Sequence, residues 1–232
     1  MGVPVLHAVV ASPWAENSRL AHRQMIQAAV DRGVHAQVWQ EIVRAKVRGQ
    51  AATLSVRKPR LGKSVGALVA EVGHGDMTNV EGRAAREYFD GLWGKKFVRD
   101  HDGGDRVNAL LNYGYAILRS SGIRAVNAAG LVPSLGIWHR HRANAFNLVS
   151  DLMEPFRPVL DHVVRNLPGT AKVTQVETKK ALAGVLEIPF GSEGRTVADE
   201  LLALALRYAR FIEGERQGFH VDHWAPLEGG DE

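Results

Sequence analysis

"GIWHRHRANAFNLVSDLMEPFRP", residues 136–158, places an acid where an acid is costly. Leu148, Leu152, Phe156, Val159 and Val163 recur at helical spacing, so the second half of the stretch reads as an amphipathic helix packed inward. Asp151 lies on or beside that apolar stripe. An aspartate facing a core must be paired, hydrogen-bonded or holding a metal. The "HRHR" just upstream (139–142) makes the question sharper, because it sets His and Arg side chains ahead of the buried acid.

The helical pattern continues on both sides. "NSRLAHRQMIQAAVDRG" (17–33) opens on capping-type residues and ends at Gly33, and "HAQVWQEIVRAKVRGQAATL" (35–54) gathers Trp39, Ile42, Val43 and Val47 on one side. "GKSVGALVAEVG" (62–73) stops at Gly73, and Thr78 or Asn79 can cap "VEGRAAREYF" (80–89). Residues 90–106 are polar and Gly-rich and read as a loop. "DRVNALLNYGYAILRSSG" (105–122) is expected to run from an Asp105 cap to Gly122, with "IRAVNAAG" (123–130) as a separate shorter helix. The helix of the opening stretch extends to Asn166, with Pro155 and Pro158 straining or breaking its path. Residues 167–195 are mixed. "TVADELLALALRYARFIEG" (196–214) starts on a capping box, Thr196 with Asp199. The fold expected is mainly α: a helical domain over 13–232, its tail from about 226 disordered.

One segment breaks the pattern. "VPVLHAVV" (3–10) reads as a strand with no strand nearby to pair with. The first residues loosely imitate a signal peptide, but they lack a basic start and His7 interrupts the apolar run. No apolar run approaches the roughly 20 residues of a membrane span. With no cysteine, disulfides, thiolate metal sites and cysteine nucleophiles are excluded, which fits a reducing cytoplasm. Arginine outnumbers lysine 21 to 8, which suits bidentate contact with a polyanion and also arises from a GC-rich genome.

A second acid is misplaced. Glu81, Ala84, Ala85 and Tyr88 share one helix face, the packing face by its small residues, while Arg83, Arg86 and Glu87 form the solvated one. Two helices thus direct a carboxylate inward, and His139 is a candidate third member. A Glu, an Asp and one His are a mostly hard-oxygen set, suited to Mg²⁺ or Mn²⁺ with open water positions. Such an ion polarises a phosphoryl oxygen and activates a hydroxyl or water. Arg140 and Arg142 could hold phosphates beside it. An inward acid also serves as a cap or a buried ion-pair partner, and His139 as a structural histidine, so spacing alone leaves both readings open. "VGHGD" (72–76) and "RDHDGGD" (99–105) read as solvated turns.

"NVEGRAAREYF", "NALLNYGYAILRS", "AAGLVPSLGIWHR" and "FNLVSDLMEPFRP" resemble, in that order, the motif set of the CRISPR-associated integrase, the endonuclease-like subunit of the spacer-acquisition module. "WQEIVRAKVRGQA" is similar to the helix that follows the interdomain linker in the type II branch. The resemblance implies a divalent metal, Mg²⁺ or Mn²⁺, held by Glu81, His139 and Asp151, with Glu154 as an assisting or alternative ligand. Leu148 stands where some members carry a further acid. Tyr113, with Asn112 beside it, matches the tyrosine that approaches the DNA strand. The resemblance also implies a homodimer on double-stranded DNA, a small companion subunit, and a cytoplasmic, prokaryotic setting. Members have an N-terminal β domain, of which residues 1–12 would be the last strand and the start of the linker. The implied reaction inserts captured DNA fragments as spacers by 3′-hydroxyl attack on a phosphodiester. A catalytically silent DNA-binding scaffold and a stand-alone metal-dependent phosphohydrolase are the competing readings.

Overall fold

The computed structural model describes residues 19–226. The strand read at 3–10, the remnant at 1–12 and the end of the tail lie outside them. The described chain is mainly α. Its helices are α1 (Leu20–Ala29), α2 (Arg32–Ser55), α3 (Pro59–Ala67), α4 (Val80–Trp93), α5 (Arg106–Ala128), α6 (Asn147–Leu152), α7 (Arg157–Asn166), α8 (Val176–Ala183) and α9 (Val197–Ile212). The mixed region 167–195 resolves into α8, a 3-10 turn and a two-residue antiparallel pair, β1 (Pro189–Phe190) with β2 (Arg195–Thr196). No described helix is long and apolar enough to cross a membrane.

α2 is the axis of one half. Val38, Trp39, Ile42, Val43, Ala45 and Val47 are all buried, so the helix is covered on more than one side, against α3, α4, α7 and the turn at Glu154. α5 plays the same part in the other half, against α6, α7, α8 and α9. Both halves share one core: Ile42 of α2, Leu111 of α5, and Phe156, Val159 and Leu160 belong to a single buried cluster, and α7 packs against both α2 and α5.

Three expected boundaries moved, each for a local reason. Gly33 does not end α1. Val30 turns the chain extended and the Asp31 carboxylate accepts Gly33 N–H at 2.6 Å, so Asp31 starts α2 instead. Gly122 does not end α5, which runs unbroken through "IRAVNAAG" to Ala128. Its missing side chain allows close packing: a Cβ there would meet Val149 Cγ1 at 2.7 Å. Gly122→Val is therefore expected to overpack the α5–α6 contact and cost about 2 kcal/mol. Urea titration should show this as a lower midpoint at unchanged slope, and an unchanged midpoint would refute the close-packing role. The opening stretch, third, is not one helix. Pro155 cannot donate to the ladder, and the chain passes from α6 through a 3-10 turn (Glu154–Phe156) into α7, with Pro158 in its first turn. The apolar stripe survives the break: Leu148, Leu152, Phe156 and Val159 are buried and Val163 packs against the core.

Candidate metal centre and basic cleft

Asp151 is 0% exposed, and its carboxylate is fully engaged. Oδ2 accepts the N–H of Ile137 at 2.6 Å and of Trp138 at 3.0 Å; Oδ1 accepts His139 N–H at 3.2 Å and lies 2.5 Å from His139 Nδ1. The acid that looked costly in the sequence thus organises the turn at 137–139. The turn can close this tightly only because residue 136 is glycine, since a Cβ there would meet His139 O at 2.2 Å and Asp151 Oδ2 at 3.0 Å. The hydrogen bond that His139 Nδ1 donates to Asp151 raises the His139 pKa against the opposing effect of burial. It also fixes Nδ1 as the bonded nitrogen and leaves Nε2 as the free one. The imidazole stands edge-on to the buried Trp39, on whose face Trp138 stacks in parallel.

Glu81 sits in the first turn of α4, and its position is set by a residue that reads as part of a solvated turn. Asp76 is buried; its two carboxylate oxygens accept the N–H groups of Val80 and Glu81, both at 2.9 Å. Asn79 caps the same helix by accepting Gly82 N–H. Asp76 and Asn79 both adopt positive φ, +48° and +52°, a conformation that Asp and Asn tolerate better than other side chains. The Asp105 cap expected for α5 is in place, its carboxylate accepting the N–H groups of Val107 and Asn108.

Between the two carboxylate-bearing elements lies a lysine. Lys46 Nζ stands 2.6 Å from Glu81 Oε1 and 2.6 Å from Glu154 Oε2. The ammonium is a hydrogen-bond donor to Glu81 Oε1 and forms a close charge contact with Glu154 Oε2, which is buried. Arg157 Nε lies 2.9 Å from the other Glu154 oxygen. Burial alone would lower the Lys46 pKa, but Glu154 and Glu81 outweigh it and the pKa is raised. Burial would likewise raise Glu154, yet Arg157 and Lys46 hold it down at about 2. Glu154, not Asp151, is the acid that faces Glu81.

No group of three or more His, Asp or Glu side chains among the described residues is close enough together to hold a metal ion. The cation chemistry of the donors is present nonetheless. Two hard carboxylates from different elements share one ammonium, and both acids contribute to raising the pKa of His139. Two carboxylates gathered around one cation are the donor type that a small hard metal ion takes.

The remaining sequence candidates divide. Arg140 and Arg142 line, with His139, His141 and Arg32, an open cleft of about 440 Å³. Asn112 is elsewhere: it accepts from Arg99 at 2.6 Å and donates to the Asp100 and His101 carbonyls, pinning the 94–105 loop to α5. Tyr113 is 37% exposed. The buried tyrosine is Tyr115, whose hydroxyl donates to Asp161 and whose ring lies 4.6 Å from the Arg157 guanidinium. Two residues of this centre were readable and missed. Lys46 continues the stripe of Trp39, Ile42 and Val43, and Tyr115 that of Leu111 and Leu118, each at i+3 or i+4 spacing.

With this geometry in hand, the relatives can be placed. The family model for "CRISPR associated protein Cas1" matches residues 6–188. The CRISPR-associated endonuclease Cas1 of Neisseria meningitidis serogroup C is 38% identical over 156 residues, 67% of this chain and 51% of that protein. A Pyrobaculum aerophilum protein of the same description is 32% identical over 202 residues, 78% of this chain and 67% of that one. The chain thus spans about half the length of the first of these relatives. In fold it is similar to a casposase bound to integration product, with a TM-score of 0.74 at 19% identity, covering 94% of this chain and 72% of that one. A Cas1 protein from Thermotoga maritima gives a TM-score of 0.65 at 18% identity, over 84% of this chain and 69% of that one. Because the family model spans most of its length, the chain belongs to the CRISPR-associated Cas1 family.

Proposed function

We propose that this chain is a divalent-metal-dependent DNA endonuclease and integrase of CRISPR adaptation, and that Glu81, Glu154 and the Nε2 of His139 hold the metal. The observation that carries the reading is the Lys46 ammonium set between a buried carboxylate, Glu154, and a half-buried one, Glu81, beside a histidine one of whose nitrogens is tied down. Asp151, one of the three ligands expected from sequence, is given a different task. Its oxygens are spent on three backbone N–H groups and His139 Nδ1, so it orients the histidine ligand. Bound Mg²⁺ or Mn²⁺ would supply Lewis acidity at a phosphoryl oxygen and activate a hydroxyl or water beside it.

Arg140 and Arg142, in the cleft next to His139, hold phosphates of double-stranded DNA without reading its sequence, so binding weakens steeply with salt. In strand transfer the 3′-hydroxyl of a captured fragment attacks a phosphodiester of the repeat. One P–O bond forms as one breaks, and the displaced strand leaves with a free 3′-hydroxyl. Water in place of that hydroxyl gives cleavage. Solved structures similar in fold include a "Cas6-RT-Cas1–Cas2 complex", at a TM-score of 0.74 and 22% identity over 92% of this chain and 28% of that one. That complex supports a companion subunit as partner; we further propose that this subunit is small and that the chain works as a homodimer in the cytoplasm.

The test is a Mn²⁺-dependent assay on linear and branched DNA. His139→Ala should lose cleavage and strand transfer while keeping DNA affinity, which resides in the arginines. Full activity in that variant would remove the metal reading. Binding without turnover in the unaltered chain would replace it with a scaffold.

A further inference from the structure

We propose that Lys46 is a positioning residue that fills the metal position as a resident cation, holds Glu81 and Glu154 together, and leaves when a divalent ion enters. The proposal rests on the metal reading above and adds a loading step to it.

The geometry is that of mutual exclusion. Glu81 Oε1 and Glu154 Oε2 each lie 2.6 Å from one point, the Lys46 ammonium. A hard divalent ion binds such oxygens at about 2.1 Å, so an ion shared by the same two atoms falls almost where Nζ now stands. The two cations cannot occupy that space together, and their charges repel at this distance in a poorly solvated environment. The elements concerned are separate in sequence: mid-α2, the first turn of α4, and the turn between α6 and α7. Without a cation between them, two carboxylates would face each other at the junction of three elements.

Lys46 can also leave. Its side chain is 11% exposed and that of Glu81 24%, against 6% for Glu154, so the ammonium has an outlet on the Glu81 side. A four-carbon stem with a point charge can swing where a planar guanidinium would have to break a fork of bonds. Arg157, at 2.9 Å from Glu154, stays behind and keeps that acid partly balanced. The released ammonium is then free to meet the phosphate that the loaded site receives.

The experiment uses the full chain stripped with EDTA, MnCl₂ alone as probe, and calorimetric titration beside thermal melting. Lys46→Met should melt below the unaltered protein in EDTA, because two acids lose their partner. It should nonetheless bind Mn²⁺ about tenfold or more tightly, and gain more melting temperature from the ion. Lys46→Gln, neutral but able to hydrogen-bond, should show the same gain and serves if Lys46→Met does not fold. A merely structural lysine predicts the opposite, weaker metal binding after its loss, and equal or weaker Mn²⁺ affinity in both variants overturns the proposal. Absence of Mn²⁺ binding in the unaltered protein and both variants would instead remove the metal reading itself.

Discussion

Asp151→Ala should lower the melting temperature by about 10 °C in EDTA, before any metal question arises. The substitution strips acceptors from three backbone N–H groups and from His139 Nδ1, at a residue with no exposure. Leaving one buried donor unsatisfied costs about 1–3 kcal/mol, and bonds to a charged acceptor are the stronger kind. The losses are not additive, because a relaxed turn recovers water, so a total of about 4 kcal/mol is expected. For a chain of this size each kcal/mol moves the midpoint by about 2–4 °C. Mn²⁺ affinity should fall by about 10- to 100-fold, the usual penalty for losing a residue that orients a ligand. Glu154→Gln is the contrast. It leaves the 137–139 turn intact and should abolish Mn²⁺ binding outright. Calorimetry on both variants separates the two acids. If Asp151→Ala melts within 2 °C of the unaltered protein and binds no metal, Asp151 is the ligand after all.

This contrast shows where sequence stops informing. Periodicity alone marked Asp151 and Glu81 as acids on packing faces, and the two Pro residues marked the break that puts Glu154 at the start of a new turn. Spacing could not say which acid faces the partner helix, because that depends on how the 3-10 turn at Glu154–Phe156 rotates the chain. The stripe through Leu148, Leu152, Phe156 and Val159 was legible because burial follows helical phase even across a kink. Helix ends were less so. Gly33 and Gly122 look like terminators, but Gly33 sits in the first turn of α2 under the Asp31 cap two residues before it, and Gly122 packs against Val149, a neighbour that no local propensity rule can register. Asp76 was lost for a related reason. A polar turn and a buried cap share the same residue types, and only tertiary packing distinguishes them.

The stability difference between the unaltered protein and Asp161→Asn should shrink as pH rises from 4 to 7, by about 3 kcal/mol. Asp161 is buried and accepts from Tyr88 and Tyr115 hydroxyls. Burial pushes its pKa up from 3.8 to about 6; the two hydroxyls and the charges of Arg157 and Lys46 pull the other way and do not win. A carboxyl whose pKa is raised by folding favours the folded state while protonated. That contribution is complete below about pH 4, near the unfolded value, and is gone once the pH has passed 6. The amide of Asn cannot titrate, so subtracting its melting curve cancels the groups both proteins share, Glu154 and the histidines among them. Melting at pH 4, 5, 6 and 7 reads the difference directly, and a constant gap across that window would show that the carboxyl is ionised throughout. The consequence reaches the metal centre, because Tyr115 lies under Arg157 and Arg157 holds Glu154. Ionising Asp161 adds a negative charge behind that arginine, which then balances two acids, Asp161 and Glu154, instead of one.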